Sequence, residues 1–158
     1  MNNIQKYIWP MQIAREEAEI AYRENEVPVG AVVIDSLGNI ISKAHNEKES
    51  DFNPCGHAEI LALQKAGKSI NNWRLQGCTL VVTLEPCLMC INAAVHSRVA
   101  KVVFGTYDFK AGALSLGYNF HKNDKLNHKF EVIGGLMHFE NSRLLSKFFR
   151  EKRNYYKK

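Results

Sequence analysis

Residues 79–90 read TLVVTLEPCLMC, and this stretch decides the fold. The segment TLVVT (79–83) has the length and the β-branched composition of a short buried strand. Pro86 follows it, and proline is well accommodated where a helix begins, so a helix is predicted over 87–97. A strand that runs directly into a helix is typical of an α/β protein.

Strands and helices alternate along the rest of the chain. The segments AVVID (31–35) and NIISKA (39–44) flank a turn and predict a β-hairpin. Further strands are predicted at KVVFG (101–105) and FEVIG (130–134), and further helices over 4–24, over 58–66 with an end at Gly67, and over 140–153. This order predicts a three-layer α/β/α sandwich, with helices on both faces of a mixed sheet of about five strands. Residues 106–129 are expected to form a long loop or a short helical excursion.

The composition is that of a globular protein. With 158 residues, 46% of them hydrophobic and 23% charged, we expect one domain spanning 1–158. No apolar run could cross a bilayer and the start MNNIQKYIWP has no secretory pattern, so a cytoplasmic location is expected. The net charge of +5, with Lys and Arg frequent in the terminal KFFREKRNYYKK, suits a polyanionic partner.

Two short motifs, CGHAEI (55–60) and LEPCLMC (84–90), carry a metal-site pattern. His57, Cys87 and Cys90 would supply one imidazole and two thiolates to one Zn²⁺ and leave a fourth position for water, as in catalytic zinc sites. Both motifs fall where helices are predicted to begin, and a helix N-terminus favours thiolates. Glu59, two residues beyond the histidine, is placed to move protons without binding the metal.

The other two cysteines leave an alternative open. A structural zinc could use Cys55 as its fourth ligand, with Glu59 only a helix-capping acid. Otherwise Cys55 is a loop residue near the pocket, and Cys78, beside the strand at 79–83, is a buried apolar side chain.

The order H-x-E…P-C-x-x-C is the signature of zinc-dependent base deaminases, and His57, Glu59, Pro86, Cys87 and Cys90 reproduce it. With EVPVGAVVI, NWRL, HSR and VVFG, the chain resembles the bacterial tRNA-specific adenosine deaminases over nearly its whole length. The resemblance implies a cytidine-deaminase-like fold, one zinc ion per chain and a homodimer. It also implies hydrolytic conversion of the wobble adenosine of an arginine tRNA to inosine.

The same resemblance assigns residues to the substrate base. Asn46, in KAHNE, matches an asparagine that hydrogen-bonds the flipped base, and Val29 and Pro86 match residues beside that base. An amide offers both a donor and an acceptor to a heterocycle edge. Without the resemblance, Asn46 would be read as a turn residue and Val29 as core at the start of a strand.

Two later segments are expected to bind the rest of the RNA. Asp108 and Lys110, in YDFKAG, match a D-x-K-x-G segment that lies along the neighbouring nucleotides, although they could also be a solvated loop pair. The chain then departs from the family, with ALSLGYN in place of the usual Gly-Ser pair. In the last helix, about 140–158, Phe148, Phe149 and Arg150 match an FFR motif, with a buried phenylalanine and a solvated helix end as the alternative.

Two other functions share part of this pattern. A guanine, cytosine or cytidine deaminase would carry the same zinc signature, but it would need neither DFKAG nor a basic aromatic tail. A non-catalytic RNA-binding subunit would keep the tail, and the presence of Glu59 argues against it.

Overall fold

A five-stranded mixed sheet forms the centre of the computed structural model, which describes residues 4–155. Its strands are β1 (Gly30–Ile34), β2 (Ile40–His45), β3 (Thr79–Leu84), β4 (Lys101–Thr106) and β5 (Glu131–Ile133). The strand order is β2-β1-β3-β4-β5. β1 pairs antiparallel with β2 and β3, whereas β3, β4 and β5 are parallel. The predicted mixed sheet is therefore confirmed.

Four helices cover the two faces of this sheet. They are α1 (Ile8–Arg23), α2 (Ala58–Ser69), α3 (Leu88–Ser97) and α4 (His138–Tyr155), with short 3₁₀ turns at Gln5–Tyr7 and Phe120–Lys122. Side chains alternate along β1, so that Ala31 and Val33 pack with α2 and α3 on one face, and Val32 packs with Met11 of α1 on the other. The helix α4 lies beside α1 against β4. The predicted three layers are confirmed.

Several predicted boundaries move. The helix α2 does not end at Gly67 but continues to Ser69, and Asn71, with φ of 52°, takes the left-handed conformation that follows it. Asparagine tolerates this conformation better than most residues, so no glycine is needed there. At the start of α3, Cys87 is the N-cap with extended backbone (φ −70°, ψ 172°) and not the first helical residue.

The irregular connection predicted over 106–129 is present over 107–130, between β4 and β5, and contains one 3₁₀ turn. The end of the basic tail, residues 156–158, lies outside the described residues. Within 4–155 none of the helices combines the length and the hydropathy that a membrane span requires.

Candidate active site

Three side chains converge where α2 and α3 begin. His57 is the N-cap of α2, Cys87 is the N-cap of α3, and Cys90 lies in the first turn of α3. The Nδ1 atom of His57 lies 3.6 Å from Cys87 Sγ and 3.5 Å from Cys90 Sγ, and the two sulfurs are 3.6 Å apart. The sequence places these residues in two separate motifs, and the fold brings them together as predicted.

These spacings fit a tetrahedral zinc ion. Zinc with Zn–S bonds of about 2.3 Å and a Zn–N bond of about 2.0–2.1 Å holds its sulfurs about 3.8 Å apart and each sulfur about 3.5 Å from the nitrogen. The observed distances are within a few tenths of an ångström of these values. Among the residues from 4 to 155, these three form the group of His, Cys and acidic side chains able to share a metal ion.

Cys55 does not join the cluster. It is exposed, and the metal-binding group of the described chain consists of His57, Cys87 and Cys90 alone. The alternative of a four-ligand structural zinc therefore receives no support from the geometry. Cys78 is buried beside the sheet, as the sequence predicted.

The electrostatics of the cluster favour a thiolate at Cys87. Contact with the Cys90 sulfur and with the His57 ring outweighs the effect of burial and lowers the pKa of Cys87 to about 4. The same contact with Cys87, together with burial, raises the pKa of Cys90. A bound zinc ion would stabilise the thiolate form of both sulfurs, which is the form that binds the metal.

Glu59 lies in the first turn of α2 and is only 4% exposed. Burial raises the pKa of its carboxyl to about 7, so that the group is able both to take up and to release a proton near neutral pH. A bound zinc ion supplies the Lewis acidity that makes water nucleophilic near pH 7. Glu59 interacts with the side chains of His57, Cys87 and Cys90, so a zinc ion held by these three would have this buried carboxyl as a neighbour.

Asn46 connects the end of β2 to the start of α2. Its backbone N–H donates to the carbonyl of Val29 (3.1 Å), and its side-chain Oδ1 accepts from the N–H of Ala58 (2.8 Å). The amide is buried, and its Nδ2 has no hydrogen-bond partner among residues 4–155. The acceptor end of Asn46 thus fixes the helix start that carries the metal ligand, and the donor end is available to a substrate.

Val29 and Pro86, the other two residues expected beside the base, contact neighbouring parts of the fold. Val29 is buried within the main core cluster, next to the start of β1. The carbonyl of Pro86 accepts from the N–H of Ala113 (2.9 Å), which joins the α3 start to the loop after β4.

Glu85 is a residue that the sequence analysis missed. Its buried carboxylate accepts hydrogen bonds from the N–H and the hydroxyl of Ser115 (2.8 and 2.5 Å) and from the N–H of Asp108 (3.0 Å). A Cβ at Gly112 would lie 2.3 Å from the Glu85 carboxyl carbon, so only glycine fits there. Glu85 therefore holds the 108–115 loop against the metal-binding turn.

A second buried carboxylate, Glu26, anchors the other loop of the site. It accepts from the N–H groups of Glu49 and Ser50, both at 2.8 Å. These residues belong to the connection between Asn46 and His57. Glu26 belongs to the motif EVPVG and Glu85 to LEPC. The N–H groups that donate to each carboxylate come from residues more than 20 positions away.

The loop after β4 meets α4 at a cavity of about 430 Å³, which we call the loop–α4 cavity. Its lining consists of Asp108, Lys110, Leu145, Ser146, Phe149 and Arg153. Asp108 Oδ1 accepts from the N–H groups of Lys110 (3.0 Å) and Ala111 (3.2 Å) and so caps its own turn. The fold thus brings Asp108 and Lys110 to Phe149.

The other two residues of the FFR motif point elsewhere. Phe148 is 6% exposed and packs edge-on against Tyr22 of α1, whereas Phe149 is 43% exposed. Arg150 lies in a separate groove between α4 and α1, together with Arg15 and Lys147. Of the three, Phe149 is the one with free aromatic surface at the loop–α4 cavity.

Comparison with known proteins assigns the chain to a family. Residues 4–106 match the model described as the cytidine and deoxycytidylate deaminase zinc-binding region. This range of the chain contains the three candidate metal ligands and Glu59. A curated relative from Bacillus subtilis, named tRNA-specific adenosine deaminase, is 46% identical over 90% of this chain and 88% of its own length. A relative of the same name from Haemophilus influenzae is 44% identical over 90% of this chain and 83% of its own.

Solved structures agree with this fold. A chain from a study of A-to-I editing by tRNA:A34 deaminases superposes with a TM-score of 0.82 at 34% identity, covering 87% of this chain and 99% of that one. A guanine deaminase from Nitrosomonas europaea superposes with a TM-score of 0.75 at 22% identity, covering 89% and 83%. The second likeness concerns the fold alone.

Proposed function

Because this chain belongs to the cytidine and deoxycytidylate deaminase family, we propose that it converts adenosine to inosine in tRNA by zinc-dependent hydrolysis. The target is the wobble adenosine of the anticodon, and an arginine tRNA is the expected substrate. Water adds to the base carbon that carries the amino group, and ammonia leaves.

The observation that carries the RNA assignment is the loop–α4 cavity. There, a carboxylate, two cationic side chains and an exposed aromatic ring lie together on two elements that the family model does not cover. A deaminase of free bases has no use for such a surface, whereas a polynucleotide offers ribose hydroxyls, phosphates and unstacked bases to it. The full-length relatives named tRNA-specific adenosine deaminase support the same substrate.

Within this proposal the buried residues act on the target base. Asn46 Nδ2 donates to the heterocycle and Val29 packs on its face, which orients the reacting carbon toward the metal side. Glu59 takes one proton from the attacking water and gives it to the ring nitrogen, and then takes the second proton, from the new hydroxyl, and gives it to the amino group, which leaves as ammonia. Asp108, through the oxygen that does not cap its own turn, accepts from a ribose 2′-hydroxyl.

We also propose that the enzyme is a homodimer. Ile70 and Trp73 are exposed beside a groove between α2 and α3, and a second copy of the chain would cover this apolar surface. Sedimentation velocity at micromolar concentration should give a dimer, and Trp73→Ser should shift it toward monomer. A monomeric wild-type protein would contradict the proposal.

The test of the function is inosine formation. Purified protein is incubated with an arginine tRNA transcript whose anticodon begins with adenosine, and the nucleosides are analysed. We expect inosine at that single position with the wild type, none with Glu59→Ala, and wild-type amounts with the matched surface variant Glu16→Ala.

The alternatives predict other products. A free-base or nucleoside deaminase would release ammonia from guanine, cytosine or cytidine and leave the tRNA unchanged. A non-catalytic subunit would bind the tRNA without changing it. Either result overturns the assignment.

A further inference from the structure

Two exposed aromatic rings flank Asp108. Tyr107 is 42% exposed and Phe109 is 78% exposed. Their rings are nearly parallel, with an interplanar angle of 16° and centroids 6.3 Å apart. We refer to this pair as the aromatic platform.

Tyr107 is the fixed half of the platform. Its ring stands edge-on against buried Phe104, with centroids 5.0 Å apart, and lies 5.9 Å from the ring of His138. Phe109 makes its ring contact with Tyr107 and has no other aromatic neighbour within residues 4–155. It contributes little to the core, since most of its surface faces solvent.

The platform is held in a fixed position relative to the metal ligands. The Asp108 N–H, between the two rings, is bound by Glu85, the residue two positions before Cys87. Gly112 forms a β-bridge with Cys87 itself. A ligand on the platform would therefore lie at a defined distance from the reacting group.

A positive charge at Lys110 directly follows the platform in sequence, and the loop–α4 cavity begins there. Lys110, next to Phe109 in sequence, and Arg153 of α4 line the loop–α4 cavity with Asp108. Phe149 is the exposed aromatic residue of that cavity. Aromatic faces combined with Lys and Arg are the means by which proteins bind single-stranded nucleic acid, because every base has a face that stacks and every nucleotide carries a phosphate.

We propose that Tyr107 and Phe109 form a stacking platform for an unpaired RNA base next to the target adenosine, with Lys110 near its phosphate. This inference rests on the proposed function and adds a subsite to it. The ligand is a splayed single-stranded nucleotide, because a base within a duplex has no free face to offer.

The test uses an RNA stem-loop whose loop carries the fluorescent base 2-aminopurine on one side of the target adenosine, in two versions, 5′ and 3′. Stacking on an aromatic ring quenches this base. With the wild type we expect quenching in one of the two versions, and Phe109→Ala should abolish it and weaken binding about 10-fold.

Two variants separate stacking from general apolar contact. Phe109→Trp should retain both quenching and affinity, whereas Phe109→Leu should behave like Phe109→Ala. The control is Trp9→Ala, which removes a ring that is 54% exposed. Trp9 belongs to α1, on the face of the sheet opposite to the helices that carry the metal ligands. It should leave binding unchanged.

Inosine formation in the same samples keeps the two proposals apart. If the wild type forms inosine while Phe109→Ala and Phe109→Leu keep full quenching and affinity, the platform is overturned and the proposed function stands. If Phe109→Ala alters the sedimentation of the protein but not its RNA affinity, these two rings form a contact between two copies of the chain. The platform is then also overturned. If the wild type forms no inosine on any tRNA, the proposed function fails and the platform falls with it.

Discussion

The metal centre and the loop–α4 cavity are built in opposite ways. His57, Cys87 and Cys90 are held by two helix starts, with buried Glu59 beside them. The loop–α4 cavity joins an irregular loop to the exposed side of α4. The first arrangement suits chemistry that requires fixed distances and low water content, and the second suits a large charged ligand. Changes in the two regions should therefore affect rate and affinity separately.

The largest expected effect is on the rate. Glu59→Gln removes the proton carrier but keeps the size of the side chain, so the rate of inosine formation should fall by about 100-fold or more. Zinc content, measured by elemental analysis, and tRNA affinity should stay at the wild-type level. A variant that retained its activity would remove Glu59 from the mechanism.

The second effect concerns Glu85, which connects the loop of the cavity to the turn that carries the metal ligands. Glu85→Gln replaces an acceptor of three hydrogen bonds, from two N–H groups and one hydroxyl, with an amide that must turn a donor toward some of them. We expect the free energy of unfolding to fall by about 1–3 kcal/mol, since bonds to a charged group are lost. The KM for tRNA should rise more than kcat falls, with zinc retained.

The matched control for this experiment is Glu26→Gln, which alters the equivalent anchor of the 46–57 loop. Its main effect should be on kcat, because that loop carries Asn46 and leads to His57. Equal effects of both variants on KM and kcat would show that the two regions are not separable.

A smaller effect concerns charge. Arg153→Ala and Lys110→Ala should each weaken tRNA binding a few-fold and lower the slope of log K against log salt by about 0.7, the value for one phosphate contact on a single strand. Binding titrations at several salt concentrations measure this. Lys6→Ala, at an exposed position on the 3₁₀ turn Gln5–Tyr7, serves as the control. An unchanged slope would show that these two cations do not touch phosphate.

The smallest effect lies outside both regions. Burial alone would raise the pKa of Glu17, but hydrogen bonds and charge from His45 and Lys43 outweigh it and hold that pKa below its usual 4.5. This interaction therefore stabilises the fold fully above pH 4.5 and is lost as the pH falls further. Glu17→Gln should lower the free energy of unfolding at pH 7 by about 1–2 kcal/mol and leave kcat unchanged. Below pH 4.5 the free energy of unfolding of this variant should fall less steeply with pH than that of the wild type. A steeper fall of the free energy of unfolding in the variant would contradict a lowered pKa at Glu17.

The fold and the metal ligands were predictable because their signals are local. A buried strand followed by PCxxC places two sulfurs one helical turn apart, and H-x-E places a ligand and an acid at another helix start. The hairpin, the alternation of elements and the metal cluster all follow from such short patterns, and the structure confirms them.

The remaining features depend on contacts between distant segments. The role of Glu85 comes from N–H groups 23 and 30 residues away, and no local pattern announces them. Phe148 and Phe149 are neighbours in sequence, and only the rotation of α4 against α1 decides that the first is buried. The end of α2 is a local exception, because Asn71 takes the left-handed conformation and the N–H of Asn72 donates to the Gly67 carbonyl, so the helix passes the glycine and ends at Ser69.

One measurement tests the central claim most directly. The protein is incubated with the arginine tRNA transcript in water labelled with heavy oxygen, and the nucleosides are analysed by mass spectrometry. Inosine at the first anticodon position, carrying one heavy oxygen and formed by the wild type but not by Glu59→Gln, is the predicted result. An unmodified tRNA, together with ammonia released from free guanine or cytidine, would contradict the account.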